Sequence, residues 1–176
     1  ASSAASDVYK RQEEYITNLG NLFGNGDVYL GAIAIPFTIF CVVGLMNAYN
    51  MADGLNGICA SFGLIPLIFL TFFGSIKYGL LIPIGAVLGF MAYNLGYLGK
   101  KRRVFLGDSG SNYIGFIVAF LCIMHSQDSQ IINPVTALWL VAIPLLDCLG
   151  VIVSRAKKGL MPFSPGRDHL HHKLLD

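Results

Sequence analysis

Apolar residues occur in five long runs from residue 29 onward, and short polar segments separate these runs. A run of about 20 apolar residues is long enough to cross a bilayer as a helix. The fourth run is short for a span unless it also takes in residues 109–112. The pattern predicts an all-α polytopic membrane protein with its chemistry in the connecting loops. We place the five membrane-spanning helices at residues 29–46, 58–76, 80–98, 113–125 and 135–153.

The composition agrees with a membrane protein, since 55% of the residues are hydrophobic and only 12% are charged. That charged share is about half of what a soluble domain carries. All four cysteines lie inside or at the edge of apolar runs, so we expect packing residues and not disulfides or metal ligands. Residues 1–12 are small and polar, and are either non-native sequence or an ordinary loop. Residues 13–176 form the membrane domain.

The cations lie mainly on one side of the predicted bundle. Five spans alternate sides, so the loops around residues 46–57 and 99–112 share a face with the tail after residue 154. The opposite face carries Lys77, together with Lys10 and Arg11 of the N-terminal stretch. Cytoplasmic loops are enriched in Lys and Arg, so the first face is predicted to be cytoplasmic. Its cations are Lys100, Lys101, Arg102, Arg103, Arg155, Lys157, Lys158, Arg167 and Lys173.

A first polar cluster, NAYNMADGLNG at residues 47–57, follows the first span. Asn47, Asn50, Asp53 and Asn56 recur every third residue, which places neighbours on one helical face. Helix capping would explain the glycines of this segment, but it would not explain the polar ladder. Such a ladder is costly at a membrane boundary unless it binds something. We therefore expect a functional role.

A second cluster joins Asn94 to the segment KKRRVFLGDSGS, residues 100–111. The basic run could serve only as a topology anchor, and an aromatic residue here could serve only as an interfacial anchor. Asp108 is harder to explain in that way. It precedes an apolar helix whose positive dipole end favours phosphate, and a carboxylate beside phosphate needs a cation between them. Asp108 is therefore predicted to bind Mg²⁺ together with substrate phosphate.

The C-terminal tail contains PFSPGRDHLHH, residues 162–172. Its histidines can donate hydrogen bonds or move protons near phosphate. A mobile basic tail on anionic lipid is the alternative. Asp147 lies inside the fifth span, where a carboxylate is a functional or packing-pair candidate.

These clusters, in this order, resemble the polyprenyl-phosphate N-acetylhexosamine-1-phosphate transferase family, most closely its WecA-type branch, which is similar to the MraY enzyme of peptidoglycan synthesis. The segments NPVTALW at residues 133–139 and IPLLD at residues 143–147 add to the resemblance. Each motif is weak alone, whereas the ordered set is specific.

The resemblance implies transfer of N-acetylhexosamine 1-phosphate from a UDP-sugar, UDP-GlcNAc above all, to undecaprenyl phosphate, with release of UMP. This reaction would initiate a cell-surface glycan such as lipopolysaccharide O-antigen at the bacterial inner membrane. The implied metal is Mg²⁺, with Mn²⁺ as an alternative, and the implied metal ligand is Asp108. A homodimer is compatible with the resemblance, and no nucleic acid partner is expected.

The resemblance also implies roles for individual residues. Phe105 would stack on uracil, with Asn50 and Asn56 near the nucleoside. Asp53 would lie in the same pocket, and the tail histidines would approach the phosphates. The implied catalytic set is Asp108, Asp53, His169, His171 and His172; the implied substrate-binding set is Asn47, Asn50, Asn56, Asn94, Arg102, Arg103, Phe105, Ser111 and Arg167.

Two features depart from the family pattern. The family usually carries a second aspartate where this chain has Asn56, whose amide offers a donor as well as acceptors. The family's earlier paired-aspartate motif and several further spans are also missing. The chain thus resembles the C-terminal half of such an enzyme, which we expect to be inactive alone. A transporter bundle and a non-catalytic interaction module are the competing functions, although the polar residues gather on one face and do not line a path.

Overall fold

A computed structural model describes residues 15–22, 24, 26–54, 56–73, 78–128, 131–157 and 159. The regular secondary structure of this part of the chain is helical, apart from one antiparallel bridge between Asn18 and Tyr29. The helices are α1 (Ala34–Ala52, after a 3-10 turn at Gly31–Ile33), α2 (Ile58–Phe73), α3 (Tyr78–Asn94), α4 (Gly107–Ile123, continued by a π-turn at Met124–Asp128), α5 (Pro134–Leu140) and α6 (Ala142–Lys157). A second 3-10 turn, Lys100–Arg102, lies between α3 and α4.

Two described segments are long and apolar enough to cross a membrane, Gly31–Ala52 with 22 residues and Gly107–Gln127 with 21. The pair α5 and α6 makes a third if the two are counted as one span, and α2 and most of α3 are shorter apolar helices. The all-helical, polytopic membrane character predicted from the sequence is confirmed.

The fifth predicted span, residues 135–153, is not one continuous helix. It breaks at Val141, and α5 and α6 meet at an angle of 73°. Pro144 explains the break, because proline has no N–H to donate and its ring clashes with the carbonyl four residues earlier. That carbonyl belongs to Leu140, the last residue of α5.

Two helix boundaries also differ from those predicted, and both differences concern the polar clusters. The first helix continues past Met46 to Ala52, so Asn47 and Asn50 are helical. The fourth helix begins at Gly107 and not at residue 113, so Asp108 lies in its first turn. Hydropathy alone ended the first helix too early and began the fourth too late, because polar residues at helix ends lower the local average without interrupting the backbone.

Helix α4 lies at the centre of the described bundle and packs against α1 and α2, while α1 also contacts α6 and α2 contacts α3. The backbones of α1 and α4 approach closely at Gly115, where an added Cβ would lie 2.9 Å from Met46 Cα and 3.3 Å from the Leu45 carbonyl oxygen. Small residues at such positions let helix backbones approach closely in membranes. Tyr49 is fully buried beside this contact, and its hydroxyl donates to the Phe62 carbonyl of α2 at 2.9 Å.

The opposite end of α4 is tied to the segment before α1. Gln127 Oε1 accepts from the Thr17 and Asn18 backbone amides at 3.0 and 3.1 Å, and Gln127 Nε2 donates to the Asn18 carbonyl at 2.9 Å. The Ile16 amide donates to Thr38 near the start of α1. The start of α1 and the end of α4 therefore share one face of the bundle, and the end of α1 meets the start of α4 on the other.

Replacing Gly115 with alanine should destabilise the bundle, because the new methyl group would meet the α1 backbone, which has no side-chain freedom to yield. We expect a cost of about 1–3 kcal/mol, measured as a lower Tm of the full-length protein in detergent. Gly44→Ala on α1 is the matched control, since nothing lies within 4 Å of its added Cβ. Equal Tm values for the two variants would contradict this close packing.

Candidate active site

The end of α1 carries the first polar cluster. Asn47 is exposed, Asn50 is half-buried, and Asp53 follows immediately after the helix ends. Asn56 is exposed in the turn before α2. The structure places Asn47 and Asn50 on the last helical turns, as their spacing predicted. The predicted ladder is wrong for Asp53 and Asn56, because the chain leaves the helix at Asp53 and Asn56 lies in the following turn.

Ser111 joins the first cluster to the second. Its hydroxyl donates to Asn50 Oδ1 at 2.9 Å, across the contact between α1 and α4. The same oxygen lies 3.1 and 3.2 Å from the Gly107 and Asp108 carbonyl oxygens of its own helix. Ser111 has no exposed surface, so its hydroxyl faces Asn50 and not the open site. A contact between Ser111 and substrate stays a prediction.

Two carboxylates share this end of the bundle. Burial raises the pKa of the Asp53 carboxyl above its ordinary value of 3.8, and the nearby charge of Asp108 raises it further. Asp108 itself is exposed in the first turn of α4. The charge of Asp108 disfavours ionisation of Asp53, so a cation bound beside the two carboxylates would relieve that repulsion.

The start of α4 offers free backbone donors beside Asp108. No side chain caps this helix at Leu106, so its first-turn amides lack the partners that a capping residue would supply. Such amides, with the positive end of the helix dipole, attract phosphate. The site therefore presents an anion-binding surface and an acidic pair next to each other.

The loop from α3 to α4 supplies aromatic and basic groups. Phe105 exposes 79% of its surface, and Lys101, Arg102 and Arg103 are exposed. Asn94, the last residue of α3, is only 4% exposed, and its Nδ2 donates to the Val104 carbonyl at 2.8 Å. The predicted binding residues of this loop thus divide into exposed groups and one buried amide.

The acidic pair fits a magnesium ion that is shared with a ligand. Among the described residues, no group of three or more His, Cys, Asp or Glu side chains is placed to hold a metal. Mg²⁺ needs only one or two carboxylates when phosphate oxygens and water complete its coordination. Asp53 and Asp108 meet that requirement by their number and their charge. A closed metal centre made only of protein side chains is not formed by these residues.

Some predicted residues are not brought to the site by the described structure. His169, His171, His172 and Arg167 lie outside the described residues. Asp147 is half-buried within α6 and is not part of the acidic pair.

The sequence analysis missed one buried charge. Arg155, in the last turn of α6, is only 3% exposed, although we had counted it simply as a topology cation. Nothing in the local sequence distinguishes Arg155 from Lys157, the exposed cation two residues later.

Comparisons with known proteins agree with this architecture. Residues 6–126 match the model of glycosyl transferase family 4. The chain is 40% identical over 169 residues to the undecaprenyl-phosphate alpha-N-acetylglucosaminyl 1-phosphate transferase of Escherichia coli (strain K12), covering 92% of this chain and 46% of that protein. The proteins of the same name from Yersinia pestis and Haemophilus influenzae (strain ATCC 51907 / DSM 11121 / KW20 / Rd) are 38% identical over 168 residues and 36% identical over 169 residues. Those alignments cover 92% of this chain, with 46% of the Yersinia protein and 48% of the Haemophilus protein.

The chain therefore spans about half the length of the curated relatives that it matches. The family match extends from the entry segment through α4, and so includes both polar clusters that meet at the end of the bundle. On this evidence, the chain belongs to glycosyl transferase family 4.

Proposed function

We propose that the protein containing this chain transfers N-acetylglucosamine 1-phosphate from UDP-GlcNAc to undecaprenyl phosphate and releases UMP. The observation that carries this proposal is the meeting of α1 and α4, which puts Asp53 and Asp108 at one end of the bundle beside an uncapped helix start. Similarity to transferases with this named activity supports the choice of substrates.

The donor nucleotide would bind along the α3–α4 loop. The exposed ring of Phe105 is available to stack on uracil, and base–aromatic stacking is worth about 1–3 kcal/mol per base. Asn56 is exposed and offers both a donor and acceptors to a uracil edge. Arg102 and Arg103 are exposed, so their charges would be available to attract the diphosphate.

The chemical obstacle is repulsion between anions. A phosphate monoester has a second pKa near 6, so undecaprenyl phosphate is mostly a dianion at pH 7 and needs little help from a base. An acceptor oxygen attacks the sugar-bearing phosphorus in line, a new P–O bond forms, and the bond to the UMP oxygen breaks. Mg²⁺ held by Asp108, with Asp53 beside it, would supply Lewis-acid polarisation and neutralise charge. The first-turn amides of α4 would hold phosphate oxygens through the same step.

The site would lie at the cytoplasmic face of the bacterial inner membrane. UDP-sugars are polar and soluble, whereas the acceptor is held in the bilayer, so a site at the end of the spans serves both. The cation-rich loops of this end suit the cytoplasmic side.

Asp108→Asn in the full-length protein should abolish transfer, because the amide removes the charge that holds the metal. We expect a loss of at least about 100-fold in UMP release from UDP-GlcNAc with undecaprenyl phosphate and Mg²⁺. Asp27→Asn, an exposed carboxylate on the opposite face, is the matched control and should retain activity. Near-normal turnover by Asp108→Asn, with normal membrane insertion, would refute the metal role.

Asp53→Asn should raise thermal stability in EDTA at neutral pH. A carboxyl whose pKa is raised by folding contributes stability at low pH that is lost as pH rises through its folded value. The parent should therefore lose Tm relative to Asp53→Asn as the pH rises above about 3.8. Mg²⁺ at pH 7 should raise the Tm of the parent more than that of the variant. An equal response to Mg²⁺ in both proteins would argue against Asp53 as part of the cation site.

Single cysteines test the proposed orientation. Tyr97→Cys lies in the α3–α4 loop, where the native side chain is 81% exposed, and Asn21→Cys lies in the exposed entry segment. An impermeant maleimide applied to intact spheroplasts should label Asn21→Cys, and should label Tyr97→Cys only after permeabilisation. Native Cys59, Cys122 and Cys148 are buried, and the half-buried Cys41 is replaced by alanine in both proteins, which keeps the background low. The reverse pattern would place the site on the outer face.

A further inference from the structure

One buried side chain connects α3 to the loop that carries Phe105. Asn94 is 4% exposed, and its Nδ2 donates to the Val104 carbonyl ten residues later at 2.8 Å. The other amide atom, Oδ1, is buried without a hydrogen-bond partner among the described residues. Asn94 therefore makes its hydrogen bond to the loop although its Oδ1 is left as an unpaired buried acceptor. Such an acceptor lowers the stability of a folded protein.

The bond acts directly on the backbone of Phe105. The Val104 carbonyl and the Phe105 amide belong to one planar peptide unit, so fixing that carbonyl fixes the plane from which the Phe105 side chain leaves the chain. The ring itself exposes 79% of its surface, and the stacked aromatic pairs of the described structure are formed by other rings. The ring therefore has little packing of its own to set its direction.

A second contact folds the same loop back on the end of α3. Gly96 has a φ of +81°, and an added Cβ there would lie 2.9 Å from Arg103 Nε and 3.3 Å from Arg103 Nη2. Arg103 thus lies directly against the backbone two residues after Asn94. Both contacts involve residues just before Phe105, so the loop backbone is held there while the ring of Phe105 stays exposed.

We propose that Asn94 is a positioning residue for nucleotide recognition, which holds the Phe105 ring in the direction needed for stacking without touching the nucleotide itself. This inference rests on the proposed function, in which Phe105 meets uracil. If the ring is already held in its binding direction, the nucleotide binds more tightly, because the loop loses less conformational entropy on binding.

The substitution Asn94→Leu distinguishes a role in positioning the Phe105 ring from a role in stability alone. Leucine has the same number and branching of side-chain heavy atoms as asparagine, and it removes both the hydrogen bond and the unpaired acceptor, which act on stability in opposite directions. Val104 is exposed, so its carbonyl can turn to water once the amide is gone. The variant should therefore keep its Tm within about 2 °C while the loop loses its anchor.

The experiment uses the full-length protein in detergent and compares the parent with Asn94→Leu. Three quantities are measured: the Tm, the Kd for UMP, and hydrogen exchange of the loop amides in the absence of nucleotide. We expect faster exchange at Val104–Leu106 and a Kd for UMP about 5- to 10-fold higher, a fraction of what a base stack contributes. In turnover assays, KM for UDP-GlcNAc should rise while kcat stays within about twofold.

Thr71→Val is the matched control. Thr71 is also a buried polar residue at 9% exposure, and its hydroxyl donates to the Leu67 carbonyl of its own helix at 2.7 Å. It lies near the far end of α2. This variant is expected to leave loop exchange and the Kd for UMP unchanged.

Phe105→Leu tests the route of action. If Asn94 acts only through the ring, Asn94→Leu should weaken UMP binding no further in the Phe105→Leu background. Additive losses in the double variant would overturn action through Phe105. A lower Tm with an unchanged Kd would make Asn94 a structural residue and overturn the proposal.

Loop exchange keeps this proposal distinct from the proposed function. Unchanged exchange in Asn94→Leu would overturn the anchor whether or not UMP binds. Failure of the parent to bind UMP would overturn the nucleotide part of both proposals, while faster exchange in the variant would still support the anchoring of Phe105.

Discussion

The close contact between α1 and α4 is the constraint on which the rest of this structure depends. Gly115 lets the two backbones meet, and one helical turn earlier the Ser111 hydroxyl bonds to Asn50 across the same contact. Since the helices run in opposite directions, this contact brings the last turn of one against the first turn of the other. The two polar clusters, distant in sequence, become neighbours because a glycine and a serine leave room for them.

The same contact between α1 and α4 also brings the two carboxylates of the acidic pair together. Asp53 is displaced from its ordinary titration by burial and by Asp108, so the apo site stores unfavourable charge at the point where the helices meet. Proteins keep such strain mainly where a ligand relieves it. The two carboxylates thus lower the stability of the unliganded protein while they favour binding of a cation. The close packing around Gly115 and Tyr49, farther along the same helices, offsets this loss of stability.

Much of the fold was predictable because hydropathy reports where helices lie. The family could be predicted from the sequence, because several motifs occurring in a fixed order are specific to it. The break at Val141 was missed, although Pro144 was visible, because proline inside a membrane span is often tolerated. The burial of Ser111 and Asn94 could not be predicted, since only tertiary contacts distinguish them from the exposed polar residues of the same cluster. Sequence identifies which residues are polar, whereas packing decides which of them face a ligand and which support those that do.

The anchoring of α4 at both ends has a consequence for the surrounding lipid. From Gly107 to Gln127 the helix has 21 residues, a length of about 31 Å, which nearly equals the thickness of a bilayer's hydrocarbon core. Gln127 is bonded to the entry segment, and Ser111 is bonded to α1. Such a helix cannot tilt independently of its neighbours, so the whole bundle must tilt or the bilayer must deform when the membrane is thicker or thinner. The length of α4 therefore sets the distance between the acidic pair and the opposite end of the bundle.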